Sequence, residues 1–81
     1  MKLDTSYPER VLAEAEEKLT RELRGRPFND RLMLEIRSYL AYRLHEGDWM
    51  LLGINFITKV TGSGTVDVHV RASVAPKVIS P

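Results

Sequence analysis

Cysteine is absent from this chain of 81 residues. No disulfide can staple the fold and no thiolate metal site is available, so folding in a reducing, intracellular setting is compatible with the composition. Charge of one sign is missing too. Twelve basic and 11 acidic residues leave a net charge of +1, too little to draw nucleic acid or an anionic membrane by a general field. No apolar run approaches the length of a membrane span, and Met1 to Ser6 has no apolar segment after Lys2, so the expectation is a soluble, unexported, cytoplasmic chain. One small domain over residues 1–81 is expected, near the size at which a single core leaves little stability in reserve. Internal repeats, low-complexity tracts and linkers are lacking.

What is present divides into a helical half and a strand half. Ser6-Tyr7-Pro8-Glu9 has the spacing of a capping box, with Pro8 where its missing N–H costs nothing. Leu12, Ala15, Leu19 and Leu23, widened by Val11, then form a helical stripe. Glu14–Lys18 and Glu17–Arg21 are spaced as i,i+4 ion pairs on the wet side. Gly25 and Pro27 end this helix, which spans about 7–24. A second helix, about 30–46, starts at an Asn29 or Asp30 cap and carries Leu32, Met33, Ile36, Tyr39, Leu40 and Leu44 on its core side. Phe28 and Met33 occupy the positions of a hydrophobic staple. Gly47 stands where a left-handed C-terminal residue is expected. Arg43 falls inside the apolar arc and is read as snorkelling. Leu34 and Ala41 lie on the opposite side, as ordinary exposed residues or as a patch covered by a neighbouring subunit.

The strand half alternates over 54–74. Ile54, Phe56, Thr58 and Val60 share a face with Val66, Val68, Val70, Ala72 and Val74, while Lys59, Asp67, His69 and Arg71 lie on the other. Both apolar sets meet on one face only if opposed residue numbers sum to an even value, which excludes a two-residue turn and favours a three-residue loop; Gly62-Ser63-Gly64 fits, with Gly64 in the left-handed position. Val60 then opposes Val66, Phe56 opposes Val70, and Lys59 opposes Asp67. A two-stranded sheet with bare edges is marginal in water, which leaves three candidates to complete it. These are Trp49-Met50-Leu51-Leu52, the extended tail 75–81 with Val78 and Ile79, and the arm of another subunit.

Chemistry is thinly represented. His45 and His69 stand in different elements with no ligand partner at i+3 or i+4, so no metal site is expected. Gly62-Ser63-Gly64 lacks the strand-to-helix context of a nucleophile elbow and the pattern of a phosphate loop. The expectation is a non-enzyme without cofactors. Nucleic-acid binding by Lys59, His69 and Arg71 on the wet face is the alternative, disfavoured because that face has no aromatic for stacking and Asp67 offsets Lys59.

Pro27-Phe28-Asn29-Asp30, Ile36, Tyr39-Leu40, Leu44, Gly47 and Leu51-Leu52-Gly53, followed by a strand and then by Val66–Val74 running into Pro76, resemble the C-terminal domain of contractile phage tail sheath proteins. The pattern departs where a glutamate follows the proline in the family but Lys77 does here, and the outer domains and long N-terminal portion of a whole sheath protein have no counterpart. Small baseplate proteins that initiate the sheath share a similar core. The resemblance implies a mechanical role in a virion, assembled in the host cytoplasm. Its partners would be copies of itself or a tail tube, baseplate or connector protein, linked by terminal arms that add strands to a small sheet.

These readings converge on an α+β domain, two antiparallel helices on one face of a small antiparallel sheet, completed by a terminal or neighbouring strand. Leu34, Ala41, Trp49, Val78 and Ile79 are the candidate subunit-interface residues.

Overall fold

The computed structural model describes residues 4–77. It has the ααββ order, with α1 over Tyr7–Glu22, α2 over Asp30–Glu46, β1 over Trp49–Val60 and β2 over Val66–Pro76. The strands form a two-stranded antiparallel sheet. α1 packs on α2 and on β2, and α2 packs on β1. Val11, Ala15 and Leu19 from α1 meet Leu32, Ile36, Leu40 and Leu44 from α2 above Trp49, Val68 and Val70. Leu12, Leu23 and Tyr39 are half-buried at the margins of that core.

The α2 start is capped as expected, and the α1 start is not. Asn29 is extended and its side chain accepts the Leu32 N–H at 3.0 Å. Ser6 is already helical and makes no side-chain cap. Instead the Asp4 carboxylate accepts both the Ser6 N–H (3.0 Å) and the Ser6 hydroxyl (2.6 Å). These bonds, the hydroxyl's first, hold the Asp4 carboxyl below the usual carboxylate range. The capping box fails because Ser6, at φ −87° and ψ −11°, is not in the extended conformation that turns a cap hydroxyl toward the Glu9 N–H.

The charged helix faces also pair otherwise than the i,i+4 spacing predicts. Glu14 crosses to Arg43 of α2, receiving its Nη2 at 2.7 Å and Nε at 3.2 Å, and Glu46 lies 3.4 Å from the same guanidinium. Arg43 is thus a clamp between helices and not a snorkelling side chain. Lys18 approaches Glu22 at 3.9 Å and lies over the Tyr39 ring. Among the described residues, no Glu14–Lys18 or Glu17–Arg21 pair forms.

The turn into β1 corrects the reading of Gly47. Its φ is −99°, and the left-handed residue is Asp48 at +63°, a residue type that tolerates that region. Gly47 is needed for space: a Cβ there would overlap the ring of Tyr7, whose hydroxyl donates to the Arg43 carbonyl. The backbone of α2 and the Tyr7 ring can touch only over a glycine.

In the hairpin the predicted pairs Val60↔Val66, Phe56↔Val70 and Lys59↔Asp67 are present. Gly64 has φ +83°, and the loop closes through Gly64 N–H to Thr61 O and Thr61 N–H to Thr65 O. The strands run beyond 54–74. Trp49, Met50 and Leu51 continue β1 opposite Pro76, Ala75 and Val74, so neither 49–52 nor 75–76 is a separate edge strand. Between Leu51 and Gly53 the register shifts, leaving Leu52 as the extra residue of a bulge. The bulge has a clear cause. Trp49 and Leu51 are odd-numbered and Ile54 and Phe56 even, so an unbroken period of two cannot turn all four toward the helices; one extra residue can.

Candidate sheet-edge site

The apolar face of the hairpin is covered along only part of its length. Val68 and Val70 are buried beneath the helices, whereas Val66 is 52% and Val60 77% exposed. The distal hairpin therefore projects past the helices, consistent with a molecule extending 52 × 23 × 17 Å. The apolar face is thus covered unevenly, because the strands are longer than the helix pair above them.

Antiparallel pairs alternate between those that exchange backbone hydrogen bonds and those whose groups point outward. The bonds Thr61 N–H to Thr65 O and Lys77 N–H to Asp48 O fix the phase at the two ends. Val60↔Val66, Thr58↔Val68, Phe56↔Val70 and Ile54↔Ala72 are then the outward pairs. On β1, the N–H and C=O groups of Ile54, Phe56, Thr58 and Val60 form a continuous edge, and no described residue hydrogen-bonds to it. On β2, the middle of the edge is occupied, because the outward Val70 N–H donates to Glu16 Oε1 of α1 at 2.9 Å. Pro76, at another outward position of β2, has no N–H to offer.

The β1 edge also has a groove beside it. Asp30, Met33, Leu34 and Arg37 of α2 face Ile54 and Phe56 across a cleft of about 260 Å³. Phe56 is half-buried and meets Phe28 edge-on, with centroids 5.6 Å apart at 60°. Leu34 is 62% exposed on its outer lip. Ala41, half-buried, lies seven residues or about 10 Å further along α2 toward the strand's start. There the exposed Leu52 and Met50 lie on β1. The packing geometry accounts for the groove. Packed helices lie about 8–10 Å apart and paired strands about 4.8 Å, so two helices overhang a two-stranded sheet by about 2 Å on each side.

The candidate interface residues separate accordingly. Leu34 and Ala41 border the β1 seam. Trp49 does not reach the surface: it is buried in the core, and its Nε1 finds no acceptor among the described residues. Val78 and Ile79 lie outside the described residues. Sequence reasoning missed Met33, Ile54 and Phe56 as groove residues, since their apolar periodicity assigns them to the core, and half-burial is decided by how far the helices reach.

Lys59, His69 and Arg71 occupy the opposite, outer face, against Asp67, Ile57 and Asn55. His69 turns back toward α1, its Nδ1 3.7 Å from Glu16 Oε1. The structure thus places Lys59 opposite an acid and His69 beside one. Among the described residues no group of three or more His, Asp or Glu could hold a metal ion, and no helix is long and apolar enough to cross a membrane.

Comparison of the chain with protein-family models, curated proteins and solved structures finds no match.

Proposed function

We propose that this protein is a structural assembly module that links neighbouring subunits by β-strand addition, in the manner of a phage tail sheath domain or a small sheath-initiating protein of a virion. The observation that carries the reading is the unpaired β1 edge at Ile54, Phe56, Thr58 and Val60, with a half-apolar groove under the overhang of α2. Backbone bonds to the edge would supply affinity, and alternate side chains of the added strand, entering between Leu34 and Phe56, would supply specificity. The overhang favours a bare strand over a whole second sheet: two copies brought edge to edge with their helices on the same face would collide helix against helix before their strands reached about 4.8 Å. The arm considered is the tail from Val78, given by one copy to the next. Pairing of Ala75 and Pro76 with β1 of their own chain sets where such an arm can begin.

Sedimentation of the full chain and of a chain ending at Lys77, each over a wide concentration range, tests the reading. Association of the full chain that is lost on truncation is expected. Identical monomeric behaviour of both at every concentration overturns exchange between copies.

A further inference from the structure

Strand addition raises the question of which edge is used, and the following rests on that reading of the function. We propose that Glu16 is a specificity-determining residue that closes the β2 edge and so directs an incoming strand to β1. Its carboxylate oxygen lies 2.9 Å from the Val70 nitrogen, where the carbonyl of an added strand would have to sit. Val70 is at the centre of the outward series on β2, between Val68 and Ala72. An arm on β2 must therefore displace a charge-assisted hydrogen bond at its middle position or stop short on either side. No side chain holds the corresponding Phe56 position on β1 among the described residues.

The surroundings of Glu16 suit a fixed latch better than a passing surface contact. Its residue is only partly exposed, and it sits in the middle of α1, where helix geometry holds its Cα in place. His69 Nδ1 is 3.7 Å from the same oxygen. Thr20, Arg24, Val68 and His69 line the cleft of about 640 Å³ that continues from it along β2. That cleft gives the β2 edge room for a strand, as the α2 groove does for β1. Space alone does not choose between the edges; the Glu16–Val70 bond does.

Amide hydrogen exchange, read residue by residue on the intact chain, tests this in wild type, Glu16→Ala and Glu16→Gln, each dilute and concentrated. In dilute samples the Val70 amide should exchange about tenfold or more faster in Glu16→Ala than in wild type. Glu16→Gln, which keeps a carbonyl acceptor, should recover part of that protection. On concentration, wild type should gain protection at Phe56 and Thr58 only, whereas Glu16→Ala should gain it at Val70 and Ala72 as well. Gain at both edges in wild type, or at β1 alone in Glu16→Ala, overturns the directing role while leaving strand addition standing. Gain at neither edge in any of the three proteins removes strand addition itself, and the directing role with it.

Discussion

Deletion of Leu52 should be tolerated in the middle of a β-strand. A one-residue deletion ordinarily turns every side chain on one side of it to the wrong face. Here Leu51 already opposes Val74 and Gly53 already opposes Ser73. Removing Leu52 joins them into a regular ladder in which Trp49, Leu51, Ile54 and Phe56 all keep their orientation. Leu52 is 63% exposed, so roughly a third of a leucine's burial is lost, about 0.5–1 kcal/mol. A regular pair in place of the bulge returns about 0.5–1.5 kcal/mol of backbone hydrogen bonding. The net change should lie within about 1 kcal/mol of wild type. Deleting Asn55 instead forces Ile54 to the outer face and sets Gly53 inward, and should cost at least about 1–2 kcal/mol more. Urea unfolding followed by fluorescence of Trp49, the chain's single tryptophan, reads both quantities. It gives the free energy, and it shows whether the folded indole keeps its buried emission. Loss of more than about 3 kcal/mol on deleting Leu52, or a red-shifted folded state, would refute the bulge as the device that joins the two phases.

Phe56→Ala should destabilise by about 2 kcal/mol, less than the 3–5 kcal/mol typical of a fully buried phenylalanine, because the ring is only half-buried where it packs against the core and meets Phe28 edge-on. Chemical denaturation checks it, and a loss near 4 kcal/mol would mean that the groove is closed in solution. Asn29→Ala should cost about 1 kcal/mol through the lost α2 cap, read as a shift of the urea midpoint, with no measurable shift counting against it. Asp4 titrates below its ordinary value of 3.8 in the folded chain, so its contribution is full above that value and is lost as the pH falls through the lower, folded one. The stability difference between wild type and Asp4→Asn should shrink as the pH drops from about 5 to about 2; a constant offset across that range would contradict the Asp4–Ser6 bonds.

The hairpin was legible because two alternating apolar sets exclude loops of even length, and Gly62-Ser63-Gly64 picks the three-residue loop from those that remain. The helix stripes were legible for a similar reason, since Val11, Ala15 and Leu19, like Leu32, Ile36, Leu40 and Leu44, repeat with the period of the helix. Local competition decided what was missed. Ser6 took a helical conformation instead of the extended one that the capping box required, and Arg43 drew Glu14 across the helix pair. Asp48 adopted the left-handed conformation expected of Gly47, while the glycine itself is required by the Tyr7 ring that lies against it. The phase break at Leu52 was visible in the parity of Trp49, Leu51, Ile54 and Phe56, but reading it as a bulge required knowing that 49–51 pair with 74–76. The candidate site was legible only in outline, through Leu34 and Ala41. The side chain that occupies the middle of the β2 edge comes from a residue 54 positions away, Glu16 at Val70, and no spacing rule reaches that far.

Thr58→Pro asks whether the free β1 edge is what joins one copy to the next. Thr58 is exposed, and its N–H belongs to the outward edge of β1. Proline there removes an edge donor without breaking a bond to β2, at an expected cost of about 1–2 kcal/mol. The native mass of wild type and Thr58→Pro, compared over the same concentration series, is the measurement. Wild type should associate with rising concentration while the folded variant stays a monomer. Association of the variant with the affinity of wild type, or a wild type that remains monomeric throughout, would contradict that role of the edge.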